Sequence, residues 1–173
     1  MENIYKKINE NDATSSTKKL AVSAIVIALY VVVMALTQSF AFGAVQIRIA
    51  TALYSLSYFF PFLVLPLGLA NVVSNLLFGN LGLLDIIGGG LVGIIAAFLI
   101  SLIRKKNLNK NFVIPVIIFI PGLVVPIWLS VLLKLPYPPL ALSLCLGEVI
   151  PAIVGRFMIG TLSNRVLNSG NFK

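Results

Sequence analysis

The chain reads as an all-α membrane protein with six transmembrane helices, and three observations predict that architecture. Of its 173 residues 59% are hydrophobic and only 10% charged, with a mean hydropathy of +1.04; a soluble domain of this size cannot keep so much apolar surface dry. The apolar residues also fall into runs long enough to cross a hydrocarbon core of about 30 Å, which takes roughly 20 helical residues. Finally, Lys and Arg are placed so that six crossings, and not five, collect them on one side of the membrane.

Residues 1–19 are polar and read as a cytoplasmic N-terminal segment, flexible at its start. The first span runs from Leu20 to about Phe42, broken late by Thr37, Gln38 and Ser39 and followed by Gly43. Its apolar core exceeds the roughly 7–15 residues of a secretory signal, so a retained helix is expected. Further spans run from Pro61 to Phe78, Leu83 to Ile103, Phe112 to Leu133 and Leu140 to Leu162. The spanning domain is therefore 20–163, with 164–173 a cytoplasmic tail. Pro115, Pro121 and Pro126 are expected to bend the fifth span, and Pro136, Pro138 and Pro139 to stiffen the loop after it.

Between the first two of these spans lies a shorter apolar segment, Ile49 to Phe60, closed by Pro61. As an α-helix it would reach only about 18 Å. It is either a short, tilted sixth helix or the first arm of one bent span running through to Phe78. With six spans and the N-terminus inside, the cytoplasm holds Lys6, Lys7, Lys18, Lys19, Arg104, Lys105, Lys106, Lys110, Arg156, Arg165 and Lys173, which is 11 of the 13 basic residues. Only Arg48 and Lys134 remain outside. Five spans would leave five inside and eight outside, so the positive-inside rule selects six. The net charge of +8 thus reports orientation and contact with anionic lipid, and no nucleic-acid patch is evident.

Several chemistries are excluded. The chain has no histidine, which removes a Ser-His-Asp triad, a His-Glu-x-x-His zinc site and any histidine proton relay. Its single Cys145 rules out an intrachain disulfide or a thiolate metal cluster. No Gly-x-x-x-x-Gly-Lys-Ser/Thr run is present, so the chain does not hydrolyse ATP through a P-loop. No long internal repeat is visible, unlike many secondary transporters.

Glu148 is one of five acidic residues and lies well inside the last span. A carboxylate at that depth costs about 2.5–3.5 kcal/mol on insertion scales. Helical spacing places it among Ala141, Cys145, Ala152 and Gly155, opposite Leu142, Leu146, Val149, Ile153 and Phe157. Small-residue stripes pack against other helices, so the acid is expected to point inward, as intramembrane functional acids do. Asp85 shares a second such stripe with Gly89, Gly93 and Ala96, although an acid also suits a helix N-terminus.

Under the six-span topology the remaining polar residues gather at the outer end: Gln46 and Arg48 in the first outer loop, Asn71 and Asn75 one turn apart, and Trp128, Lys134 and Tyr137 around the end of the fifth span. Polar groups in an apolar cavity are the usual make-up of a small-molecule pocket. Each also has a plainer role: Arg48 and Lys134 as headgroup anchors, the asparagines as interhelical hydrogen-bond partners, the aromatics as an interfacial belt.

Taken together, Gln46-Ile47-Arg48, Asn75 with Gly79, and Gly82-Leu83-Leu84-Asp85 with Gly88 resemble the QueT group, the substrate-binding S components of energy-coupling factor (ECF) transporters associated with queuosine precursors. The resemblance covers most of Leu20 to Leu162. It implies a six-helix S component with a short second helix, in the bacterial cytoplasmic membrane with both termini cytoplasmic. It further implies capture on the outer face of a deazaguanine base such as queuine, or of an aminomethyl or cyano precursor. Its partners would be an ECF T component and two cytoplasmic ATPases, the latter using the ATP; no cofactor of its own is expected. Glu148, Asp85, Arg48, Gln46, Asn75, Asn71, Trp128 and Tyr137 are the implied ligand-binding residues. Ala24-Ile25-Val26-Ile27-Ala28 matches the Ala-x-x-x-Ala pattern by which S components meet the T component; Ala21, Ala24, Ala28 and Ala35 share one helix face, which would equally serve packing within the bundle.

Three other readings compete: an S component for another vitamin-like molecule, an intramembrane lipid-modifying enzyme using Asp85 and Glu148 as acid and base, and an accessory subunit whose acids only fix helix packing. The enzyme reading lacks an Asp-rich motif or a phosphate-binding basic cluster near the acids. The topology is testable by cysteine labelling from outside intact cells. Positions in the 43–48 and 135–138 loops should react and position 107 should not; labelling at 107 contradicts the six-span arrangement.

Overall fold

The computed structural model describes residues 2–41, 46–79 and 81–168, with side chains between Ser15 and Asn164. Phe42, Gly43, Asn80 and Lys173 lie outside the described residues, as do the side chains of Lys6, Lys7 and Arg165. Every regular element among the described residues is helical, the main ones in the order α1 (Glu2–Leu36), α2 (Gln38–Ala41), a 3-10 helix (Ile49–Tyr58), α3 (Val64–Ser74), α4 (Leu83–Lys105), α5 (Val113–Leu133), α6 (Tyr137–Gly147) and α7 (Val149–Asn168). Among the described residues, five helical stretches are long and apolar enough to cross a membrane: Ser15–Leu36, Pro61–Gly79, Leu83–Lys105, Lys110–Leu133 and Tyr137–Asn164.

Helix α1 starts at Glu2, well before the apolar run, because nothing between Glu2 and Leu36 breaks it: the stretch has neither Gly nor Pro. It packs through Val26, Tyr30 and Met34, one turn apart on a single face. Thr37 ends it, its hydroxyl turned back onto the Val33 carbonyl at 2.7 Å. Helix α5 continues through Pro121 and Pro126, each of which removes one backbone donor. Near its middle, Gly122 lies directly against the backbone of Cys145 on α6.

The short second segment is a ten-residue 3-10 helix. At about 2.0 Å per residue it covers about 20 Å, more than the same residues would as an α-helix. Its neighbours fix its direction. Tyr54 lies against Gly93, Ser57 donates to the Ala97 carbonyl at 2.7 Å, and Tyr58 meets Arg104, so it runs parallel to α4. The chain reverses at Phe59 and Phe60, and α3 returns antiparallel to α4, with Gly68 on Ile94 and Asn75 on Asp85. Of the two arrangements the sequence left open, the separate short helix is the one formed, although too short to count among the five long spans.

This 3-10 helix is the centre of the bundle, touching α1, α3, α4, α5 and α7. Seven of its ten residues are buried. Small side chains allow such crowding: Gly155 of α7 sits on the Ala52 carbonyl and on Ser55. The main apolar core surrounds it, built on Tyr30, Tyr54, Leu63, Ile100, Ile117 and Ile159. A second cluster, Val92, Val125, Leu129, Leu140 and Leu144, joins α4, α5 and α6.

The last span is interrupted at Glu148, where φ is −83° and ψ −5°. The cause is Pro151, which offers no N–H to the Gly147 carbonyl and crowds it sterically. Gly147 then meets the backbone of Gln46, and a β-carbon there would overlap the Gln46 carbonyl. Gly147→Ala is therefore expected to destabilise the purified protein by about 1–3 kcal/mol, as overpacking does. Gly160→Ala, whose added carbon meets only Arg156 at 3.5 Å, should leave the thermal midpoint in detergent unchanged. Equal midpoints for the two variants would show that the Gln46–Gly147 approach does not hold the fold.

Candidate functional site

Glu148 is 3% exposed at the break between α6 and α7, about 16 Å along the span from Tyr137 at 1.5 Å per residue. Thr51, in the first turn of the 3-10 helix, donates to Glu148 Oε2 at 2.6 Å and stands 2.7 Å from the Arg48 carbonyl. The guanidinium of Arg48, itself buried, is close enough to the carboxylate for the opposite charges to attract. Gln46, Arg48, Thr51, Tyr54, Asn71 and Glu148 together line one enclosed void, closed on its other side by Val92, Pro121, Val125 and Leu144. The free space is about that of a single water molecule.

Tyr54 ties this void to the bundle. Its hydroxyl accepts from Asn71 Nδ2 at 2.7 Å and lies 3.3 Å from the hydroxyl of Tyr30, whose ring stacks on it with centroids 6.0 Å apart. Asn71 is thereby oriented with Nδ2 occupied. Its Oδ1, buried, has no hydrogen-bond partner among the described residues.

Asp85 forms an adjoining group. The Trp128 indole donates to Asp85 Oδ1 at 3.1 Å, and Asn75 Nδ2 donates to the Asp85 backbone carbonyl at 2.9 Å. Asn75 opens a π-helical turn, Asn75–Gly79, that finishes the third span. Asp85 Oδ2, Asn75 Oδ1 and Ser74 Oγ are buried without hydrogen-bond partners among the described residues. The two groups meet at Gly89: a β-carbon there would overlap the Asn75 amide and lie 3.0 Å from Asn71 Oδ1. Gly88 likewise leaves room for the Trp128 ring.

Of the residues expected from the sequence, Glu148, Arg48, Gln46 and Asn71 converge on one void, and Asp85, Asn75 and Trp128 on the group beside it. Tyr137 joins neither; it is exposed and donates to the Leu123 carbonyl at 2.9 Å. Lys134, also exposed, takes the left-handed conformation that ends α5. Thr51, Tyr54 and Gly147 were not anticipated. The signal for Thr51 and Tyr54 is a period of three: Arg48, Thr51, Tyr54 and Ser57 share one edge of a 3-10 helix, whereas α-helical spacing scatters them. Each acid has its own partners, and among the described residues no cluster of three or more His, Cys, Asp or Glu forms a metal site.

The lining is rich in acceptors. A buried oxygen without a donor costs about 1–3 kcal/mol, and three that can only accept, Asn71 Oδ1, Asn75 Oδ1 and Asp85 Oδ2, lie in the two adjoining groups. Such a surface suits a small, polar ligand that presents N–H groups.

A polytopic helical bundle with a polar, enclosed site is the anatomy of a multi-pass membrane transporter. The family model of the QueT transporter matches residues 20–164, and the chain belongs to that family. Comparison with curated proteins and with solved structures gave no match.

Proposed function

We propose that this QueT transporter is the S component of an ECF-type importer, which captures a deazaguanine queuosine precursor from the outer side for ATP-driven uptake. The observation that carries the reading is the set of buried acceptors: the Glu148 carboxylate, Asn71 Oδ1 and Asp85 Oδ2. The guanine-like edge of such a base presents adjacent N–H donors, which one carboxylate accepts together. Glu148, oriented by Thr51, takes that edge. Gln46 or Arg48 donates to the ring carbonyl, and Asp85 receives a cationic aminomethyl group. Trp128, already committed to Asp85, walls the second group. The void must widen to admit a bicyclic base, so binding parts elements that now touch.

The partner surface is argued from α1. Ala21, Ala24, Ala28 and Ala35 are exposed, while Val26, Tyr30 and Met34 on the opposite face are buried. The alanine stripe therefore takes no part in packing this bundle, and its smooth surface suits close approach by a helix of the T component. The ATPases bind below that component on the cytoplasmic side, where both termini of this chain lie.

Calorimetry tests the ligand assignment. Glu148→Gln sets an amide N–H against the ligand's own N–H groups, a mismatch of about 1–3 kcal/mol; affinity for every deazaguanine should fall about tenfold or more. Asp85→Asn should weaken aminomethyl-bearing bases more than the neutral cyano analogue. Normal binding by Glu148→Gln removes that acid from its role, and the reverse pattern exchanges the two acids.

The partner surface is separable. A bulky residue at Ala24 or Ala28 should impair transport in membranes containing the whole importer, yet leave base binding by the isolated chain nearly intact. Parallel loss of both would mean that the stripe holds this protein together.

A further inference from the structure

At the far end of the bundle from Glu148, α4 ends in three consecutive cations, Arg104, Lys105 and Lys106, all exposed. The segment 104–112 carries four basic residues and no acid. Two apolar grooves run along the helix below them, one on each side. The first, of about 580 Å³, has Pro61, Val64, Phe98 and Leu102 in its walls and Arg104 and Lys105 at its mouth. The second, of about 380 Å³, lies toward α5, with Phe112, Pro115 and Val116 in its walls and Lys106 at its mouth. Leu102 belongs to both grooves, so it forms the ridge between them.

Arg104 is held at this position. Its guanidinium carbon lies 4.8 Å from the ring centroid of Phe59 and 5.8 Å from that of Tyr58, which is cation–π range. An arginine that merely anchors a span extends freely into the headgroups; this one is fixed over the groove by the aromatic turn that ends the 3-10 helix.

We propose that the C-terminal end of α4 is a specific binding site for an anionic glycerophospholipid. Its phosphate is held by Arg104, Lys105 and Lys106, and its acyl chains lie in the two flanking grooves. The guanidinium matches a phosphate diester in charge and in hydrogen-bond geometry. The paired grooves match two hydrocarbon chains leaving one headgroup, and a basic pocket between helices at a membrane face is where anionic lipids are recognised. A free phosphate compound would use the cations but leave the grooves unexplained, so the lipid is the ligand.

Native mass spectrometry of the full chain, delipidated in mild detergent and titrated with phosphatidylglycerol or phosphatidylcholine of identical acyl chains, tests this. Phosphatidylglycerol should bind at least about tenfold more tightly. The triple variant Arg104→Gln, Lys105→Gln, Lys106→Gln should lose that preference, while the control Lys18→Gln, Lys19→Gln keeps it. Val64→Phe, which fills the first groove and leaves every charge, should also weaken phosphatidylglycerol binding. Equal loss in the Lys18/Lys19 control would show a response to net charge alone and overturn the site. So would undiminished binding by Val64→Phe, or competition by soluble glycerophosphate as effective as the lipid.

Discussion

A carboxylate buried halfway along a transmembrane span constrains the rest of this structure. Glu148 is 3% exposed there, so protein groups take over most of its solvation, and their positions account for much of the local architecture. Thr51 reaches its carboxylate at 2.6 Å because the 3-10 helix brings its first turn to that depth. Arg48 contributes charge from the residue before the same helix. At Glu148 the span keeps the backbone bonds to Leu144 and from Ala152 and lacks the one that Pro151 cannot make to Gly147. Gly147 lets the Gln46 backbone close against the break. Without these contacts the acid would carry the full desolvation cost of an unpaired buried charge.

The 3-10 helix turns that local requirement into a site. One edge, repeating every third residue, presents Arg48 and Thr51 to the acid, Tyr54 to Asn71 and Tyr30, and Ser57 to the Ala97 carbonyl. A polar edge in the middle of a membrane bundle is tolerable only when nearly every group finds a partner. Where partners are lacking, Asn71 Oδ1, Asn75 Oδ1 and Asp85 Oδ2 can only accept, while the Ser74 hydroxyl can do either. Asn71 Oδ1 and the Asn75 amide lie against Gly89, where the two acidic groups meet.

Much of the fold was legible in the sequence because membrane helices announce themselves by length and composition. The inward faces of Glu148 and Asp85 followed from small-residue stripes, and all of Ala141, Ala152, Gly155, Gly89, Gly93 and Ala96 are buried as expected. The segment Ile49–Phe60 was visible as a helix too short to span, but not its conformation. Searched at α-helical spacing, Thr51 and Tyr54 read as isolated polar residues; only a period of three aligns them with Arg48. Tyr137 was assigned by proximity to a span end, which fixes depth in the membrane but not facing direction, and it turns outward. The extension of α1 back to Glu2 was hidden by polarity, since a helix outside the bilayer needs no apolar run. Gly147 had no signal of its own, because its role arises from contact with a loop about a hundred residues away.

These features also separate the tasks a transporter subunit must combine. The enclosed site lies about midway along the last span, the unpacked alanine face of α1 lies along the side of the bundle, and the basic grooves lie at the end where α4 stops. The central claim is that Thr51 orients Glu148 to accept the ligand, and a double-mutant cycle on base binding tests it most directly. Calorimetry with a deazaguanine base would compare wild type, Thr51→Val, Glu148→Gln and the double variant. The account predicts a coupling of about 0.5–3 kcal/mol, with Thr51→Val nearly silent once Glu148 has become Gln. Losses that add to within about 0.5 kcal/mol would show that the two residues act independently, and the oriented-carboxylate account would not stand.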